Sequence, residues 1–166
     1  EKSKDDCKDC GKGTYQSNEG KSTCENCGKG YFQSSVGQSG CDACHKGQYT
    51  DGVGSKICLE CPVGRYGNSK GLQSQSCSGA CKAGYYCGLG STSSTQNDCP
   101  PWKTLKPDSE RAKYYCKEGE TRRIADANYY TVPEGDAHLD HRESQLPCPA
   151  HYHCVDAVSY THLRAH

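Results

Sequence analysis

The sequence predicts a small disulfide-rich fold, mostly irregular with short β-hairpins, repeated in tandem as an elongated rod. Three observations predict it. Cysteine pairs recur every 17 residues as Cys7/Cys10, Cys24/Cys27, Cys41/Cys44 and Cys58/Cys61, with a stretched version ending at Cys77/Cys81. After each pair comes a glycine (Gly13, Gly30, Gly47, Gly64, Gly84) and, two residues on, an aromatic (Tyr15, Phe32, Tyr49, Tyr66, Tyr86). Leu, Ile, Val and Phe supply only 16 of 166 residues and Met is absent, too few for an ordinary apolar core.

The 15 cysteines therefore carry the fold. One aromatic per unit buries too little surface to offset ordering each backbone at about 1–2 kcal/mol. A crosslink closing a loop of about 15 residues adds roughly 3 kcal/mol, which leaves a single unit marginal. Neighbouring units must share buried surface, as in other repeat proteins.

Taken in order, residues 1–81 hold four repeats. Each reads as a small hairpin: a short strand carrying the aromatic, a turn, and a return strand ending at the next cysteine. The turns carry Gly20, Gly37, Gly54 and Gly71, where glycine supplies the positive φ of a tight reversal. Residues 82–116 change to a Gly-Tyr-Tyr-Cys pattern, with Gly84-Tyr85-Tyr86-Cys87, Cys99-Pro100 and Tyr114-Tyr115-Cys116. Trp102 lies here, and one turn of helix is expected after Pro107. Residues 117–157 form a divergent segment containing Tyr129 to Glu134 and ending in a Cys148-x5-Cys154 frame like that of Cys81 and Cys87. Residues 158–166 share nothing with any repeat; they resemble a translated sequencing-library adapter and are set apart from the fold.

The spacing favours bonds from the second cysteine of each pair to the first of the next: Cys10–Cys24, Cys27–Cys41, Cys44–Cys58 and Cys61–Cys77. Cys7 then pairs upstream, and Cys81, Cys87, Cys99, Cys116, Cys148 and Cys154 remain in an order that spacing leaves open. A competing ladder, Cys7–Cys24 with Cys10–Cys27, also stays open.

This cysteine density implies an oxidising, extracellular compartment. Net charge is zero and the pI is 7.2, so neither nucleic acid nor an anionic membrane is an expected partner. No apolar run approaches the roughly 18 residues of a membrane span. The chain opens at Glu1, inside a repeat, as a fragment with its leader upstream would.

On Cys10-Gly-Lys-Gly-Thr-Tyr15…Gly20…Cys24-Glu-Asn-Cys27 and its copies through Cys81, the chain resembles the ephrin type-A/B receptor-like cysteine-rich repeat family. That family is itself similar to the first module of tumour-necrosis-factor-receptor cysteine-rich domains. The stretch Gly84 to Pro100 is similar to repeats in large surface proteins of single-celled eukaryotes. The resemblance implies an extracellular, disulfide-laddered rod and supplies no catalytic residues. Family members often have proline after the second cysteine; here only Pro62 does, with Gly11, Gly28 and His45 in its place.

Other chemistry weighs less. Cys7/Cys10 with Cys24/Cys27 approaches zinc-ribbon spacing, but metal does not require every linker to match in length and glycine placement. Cys41-Asp-Ala-Cys44-His45 has the c-type haem pattern, yet His45 fills a variable slot and no Met is present. A redox Cys-x-x-Cys needs a helix N-terminus that nothing here encodes. His151 and His153, with Asp140 and His141, form at most a weak surface metal site. The paired tyrosines Tyr85/Tyr86, Tyr114/Tyr115 and Tyr129/Tyr130 suit a binding face, but more simply place one ring over a disulfide and one in solvent. Ser91 to Thr95 offers hydroxyls for O-linked sugar.

No Ser/His/Asp, paired-carboxylate or phosphate-loop arrangement occurs. The expected function is therefore a non-enzymatic, cofactor-free spacer or stalk in a larger surface or secreted protein. The alternatives are a receptor or adhesin ectodomain binding an extracellular protein or glycan, and a zinc module.

Overall fold

The computed structural model describes residues 7–99, 114–126, 129–133, 142–148 and 150. Among these residues there is no helix, and every strand belongs to a two-stranded antiparallel hairpin. The first four hairpins pair β1 (Thr14–Tyr15) with β2 (Glu25–Asn26), β3 (Tyr31–Phe32) with β4 (Asp42–Ala43), β5 (Gln48–Tyr49) with β6 (Leu59–Glu60), and β7 (Arg65–Tyr66) with β8 (Gly79–Ala80). Three more pair β9 (Tyr85–Tyr86) with β10 (Asn97–Asp98), β11 (Tyr114–Tyr115) with β12 (Arg123–Ile124), and β13 (Tyr129–Pro133) with β14 (Arg142–Pro147). The fold class is the expected one, a small disulfide-rich tandem repeat.

The return strands sit one step later than expected. They are the two residues inside each Cys-x-x-Cys, so that Tyr15 faces Glu25, Phe32 faces Asp42 and Tyr49 faces Leu59. The backbone sets this register. Cys27, Cys44 and Cys61 donate their N–H groups to the carbonyls of Gly13, Gly30 and Gly47 at 2.8–2.9 Å, which closes each hairpin on the second cysteine of the pair.

The interior is mainly sulfur. Cys27, Cys44, Cys61, Cys81, Cys87, Cys99 and Cys116 are fully buried, joined by Ser91, whereas Val36, Val53, Ile57 and Leu59 are exposed. Only Tyr49 and Tyr115 are buried among the described rings.

The chain forms two compact units, Glu1–Cys61 with Gly67–Ser78, and Pro62–Tyr66 with Gly79–His166. The division runs through the fourth repeat. Within the first unit each hairpin is seated on its predecessor by the same three backbone bonds, all 2.7–3.1 Å. Between the first and second hairpins, Gly13 donates to Gln33, Gln16 to Gln38, and Gly37 to Cys10. Between the second and third, Gly30 donates to Thr50, Gln33 to Ser55, and Gly54 to Cys27. Between the third and fourth, Gly47 donates to Gly67, Thr50 to Leu72, and Gly71 to Cys44. In the second unit the pattern thins: Gly64 donates to Cys87, Gly84 to Cys116 and Gly119 to Cys81. The expected helical turn after Pro107, Trp102 and residues 158–166 fall outside the described residues.

Candidate functional site

The candidate site is the cysteine ladder, and a turn positions it. In each repeat the residue after the second cysteine accepts an N–H from three residues on: Gly11 from Thr14, Gly28 from Tyr31, His45 from Gln48, Pro62 from Arg65 and Lys82 from Tyr85, at 3.0–3.1 Å. The third residue of each turn is Gly13, Gly30, Gly47, Gly64 or Gly84, with φ of 78–83°. That combination is a type II turn, which needs glycine at this position. The first slot has only to present a carbonyl, which is why Gly, His, Pro and Lys all fill it. His45 is there for that reason, and its match to a haem motif is incidental.

Each turn glycine is a junction in both directions. Its C=O receives the cysteine N–H that closes its own hairpin, and its N–H reaches into the next hairpin. The fit leaves no room for a side chain. A Cβ on Gly13 would run into the carbonyl oxygen of Gly54, and one on Gly30 into that of Gly71.

The disulfides join Cys10 to Cys24, Cys27 to Cys41, Cys44 to Cys58 and Cys61 to Cys77, with Cα atoms 5.6–6.0 Å apart. These are the pairs the 17-residue spacing favours, not the competing ladder. Cys81–Cys87 and Cys99–Cys116 follow, and Cys148 is also disulfide-bonded, with its partner beyond the described residues. Cys154 lies outside them too. Cys7, expected to pair upstream, is exposed and has no partner sulfur among the described residues. Each hairpin bond has one inner sulfur, at Cys10, Cys27, Cys44 or Cys61, and one outer sulfur that is half-buried or, at Cys24, exposed.

This pairing leaves no thiolates for the three chemistries that weighed less on the sequence. A zinc site would need thiolates, but Cys10, Cys24, Cys27, Cys41, Cys44 and Cys58 are spent in disulfides. Among the described residues, no three His, Cys, Asp or Glu side chains are grouped to hold a metal. Haem attachment at Cys41 and Cys44 loses both thiols for the same reason. A Cys-x-x-Cys redox pair is absent in the first four repeats, because each cysteine of a bonded pair joins a different hairpin. The histidines His151 and His153, with Asp140 and His141, fall outside the described residues.

Of the tyrosine pairs, Tyr85/Tyr86 does not divide into one covered and one solvated ring. Tyr85 and Tyr86 are both half-buried; Tyr115 is only 4% exposed. Ser91 leaves the set of glycan acceptors, since it is buried and donates its hydroxyl to the Gly88 carbonyl at 2.9 Å. Thr92, Ser93 and Thr95 stay exposed.

Two braces were not foreseen. Gln16 Nε2 donates to the Thr23 carbonyl at 2.6 Å while its Oε1 accepts the Asn18 N–H at 2.9 Å. Gln33 repeats both bonds one repeat later, to Gly40 at 2.9 Å and from Ser35 at 3.0 Å. Each glutamine thereby ties its loop across to the residue before the outer cysteine. Their shared slot, directly after the aromatic, was the available signal. The third repeat substitutes a Thr50–Ser55 hydroxyl bond of 2.7 Å. The fourth has Gly67, where a Cβ would meet Leu72 Cδ1 at 2.7 Å and Cys61 Sγ at 2.9 Å.

On the first hairpin, the Tyr15 hydroxyl donates to Glu25 Oε2 at 3.0 Å. That hydrogen bond, then the carboxylate charge, holds the phenol above its ordinary pKa near 10. A raised phenol pKa contributes stability that is complete below the unfolded value and is lost as pH rises through the folded value. Glu25→Gln is therefore expected to bring Tyr15 ionisation back to its ordinary range, measured by NMR titration of the ring, with no change below pH 9. An unchanged titration would mean that Glu25 does not act on this ring.

With the ladder's register established, its relatives can be stated. Residues 1–37, 17–57 and 30–77 match the family model described as tyrosine-protein kinase ephrin type A/B receptor-like. Residues 1–77 belong to this ephrin receptor-like family. No curated protein matches the chain. The ephrin receptor-like repeats are disulfide-rich modules of an extracellular domain. No helix among the described residues is long and apolar enough to cross a membrane.

Proposed function

We propose that the ephrin receptor-like repeats act as a non-catalytic spacer or stalk within a larger surface or secreted protein, holding other domains away from their anchor. The repeated three-bond junction carries this reading. The same junction recurs three times within the first unit, so each added hairpin repeats an interface without creating a new kind of site. A disulfide in every hairpin suits such a segment to a protease-rich exterior. In this reading the segment contacts neither nucleic acid nor membrane.

A second reading, a receptor or adhesin surface for a protein or glycan, is favoured by one observation. The first unit leaves Tyr31 (43%), Val53 (65%) and Ile57 (66%) exposed although apolar residues are scarce. One experiment separates the two. The oxidised chain is screened against arrays of extracellular proteins and glycans, and in parallel treated with trypsin. For a spacer, no saturable binding is expected, and residues 10–81 remain uncut until reductant is added. Saturable binding that Tyr31→Ala with Ile57→Ser removes would establish the receptor reading instead. Rapid native cleavage within residues 10–81 would overturn the spacer.

A further inference from the structure

The fourth hairpin keeps the disulfide rule of its predecessors but not their register. Cys24, Cys41 and Cys58 each stand directly before the return strand, so that the next residue faces the aromatic, as Leu59 faces Tyr49. In the fourth hairpin Gly79 faces Tyr66, so Ser78 fills the outer-cysteine slot and Cys77 lies one residue early. In an extended chain a shift of one residue turns a side chain to the opposite face. The backbone recovers the bond by turning left-handed: Cys77 has φ of 52° and is the one non-glycine residue with positive φ among the described residues. It is pinned on both sides. Its N–H donates to the Ser74 carbonyl at 3.0 Å. The Ser78 hydroxyl accepts the Asn68 N–H at 3.0 Å and donates to Asn68 Oδ1 at 2.8 Å.

Burial does not set this bond apart. The inner sulfurs of the second, third and fourth hairpins, at Cys27, Cys44 and Cys61, are all fully buried, and the outer ones, at Cys41, Cys58 and Cys77, are all half-buried. These bonds are matched in access to solvent and differ in backbone. They differ also in bracing. Gln33 and Thr50 tie their loops from the slot after the aromatic, whereas Gly67 has no side chain to do so. Strain at a residue that makes a covalent link is the kind that weakens the link.

We propose that Cys61–Cys77 is a thiol-sensitive link, opened by an external dithiol before Cys27–Cys41 and Cys44–Cys58 are. A thiolate of the dithiol attacks the half-buried Cys77 sulfur, forming a mixed disulfide, and Cys61 leaves as a thiolate that takes up a proton. The second thiol of the reductant loses its proton and attacks its own half of the mixed disulfide. The reductant departs as a cyclic disulfide, oxidised by two electrons, and Cys77 is protonated to a thiol free to leave the left-handed region. Relief of one left-handed non-glycine residue corresponds to about tenfold in the equilibrium. Opening releases the loop Gly67–Ser78, which seats the fourth repeat on the third. Its Gly67 and Leu72 carbonyls accept the Gly47 and Thr50 N–H groups, and its Gly71 donates to Cys44. A reductant thereby loosens that junction and leaves the two before it in place.

The test equilibrates the oxidised full chain with graded ratios of reduced to oxidised dithiothreitol, alkylates the thiols and locates them by peptide mass spectrometry. Cys61 and Cys77 are expected to be alkylated together at a ratio about tenfold lower than Cys27 with Cys41 or Cys44 with Cys58. At that ratio, hydrogen exchange of the Gly47, Thr50 and Gly71 amides should quicken while that of Gly30 and Gln33 stays slow. Deleting Ser78 returns Cys77 to the place directly before Gly79, and its bond should then resist reduction as well as the other two. A second comparison does not depend on that deletion. In a Cys61→Ala chain, Cys77→Gly is expected to melt no higher than Cys77→Ala, because the left-handed turn goes when the bond goes. Opening of all three bonds at one ratio overturns the proposal, as does a Cys77 bond that stays the weakest after Ser78 is deleted. A higher melting temperature for the glycine variant overturns it too, since the turn would then outlast the bond and reduction would relieve nothing.

Discussion

Full reduction is expected to unfold the repeats without any denaturant. Among the described residues the fully buried side chains are seven cysteines and Ser91, and no Leu, Ile or Val is buried. What remains after reduction is a set of two-stranded hairpins, each with two residues per strand in the first four repeats. An isolated two-stranded hairpin is marginal at best in water. Each disulfide of the first four repeats closes a loop of about 15 residues and so contributes roughly 3 kcal/mol by restricting the unfolded chain. The hydrogen bonds of the ladder, about 1 kcal/mol each, do not replace several such terms at once. The check is the amide dispersion of a two-dimensional NMR spectrum before and after addition of a dithiol with a chelator. Collapse to random-coil shifts is expected; retained dispersion would mean that another interaction holds the fold.

The effect of a single bond depends on its place. Replacing Cys27 and Cys41 together by serine removes a crosslink from a hairpin seated on both sides, and is expected to cost about 2–5 kcal/mol. Cys27 also gives its carbonyl to Gly54 and its N–H to Gly13. Loss of its position therefore loosens two junctions. Cys10 and Cys24 close the hairpin that has a neighbour on one side only among the described residues, so the same double replacement should protect fewer amides but disturb fewer as well.

How much of this was legible in the sequence follows from where the constraints are local. The turn glycines are legible because a type II turn needs positive φ at one residue, so Gly13, Gly30, Gly47, Gly64 and Gly84 mark the hairpins directly. The return strands are not, because two residues carry no period-2 signal, and only the Cys27-to-Gly13 bond decides which two they are. Cys81–Cys87 and Cys99–Cys116 were beyond reach once the 17-residue spacing stops, since spacing was the only ordering principle available. Gln16 and Gln33 stand at the same repeat slot and their bracing role was open to the same alignment that found the aromatics.

Three glycine-to-alanine changes separate the contributions that keep the ladder together. Gly28→Ala tests a turn position with ordinary φ and nothing within 4 Å of the new methyl group. It should be neutral or raise stability by about 0.4–1 kcal/mol, because alanine restricts the unfolded chain. Gly20→Ala adds a methyl in equally open space but at φ of +74°. Its cost is the left-handed backbone alone, about 1–2 kcal/mol. Gly30→Ala has the same backbone problem at φ of +81° and also drives its methyl into the carbonyl of Gly71, two hairpins away. Relief requires the second and fourth hairpins to move apart, which strains the bonds from Gly30 to Thr50 and from Cys44 to Gly30. Backbone strain plus overpacking of about 1–3 kcal/mol gives a total near 3 kcal/mol or more, a fall in melting temperature on the order of 10 °C. The ordering, with Gly28→Ala least harmful and Gly30→Ala most, is the decisive result in a thermal or urea series on the oxidised chain. Equal losses for Gly20→Ala and Gly30→Ala would show that turn geometry alone matters, and that the close approach of alternate hairpins contributes nothing to holding the repeats together.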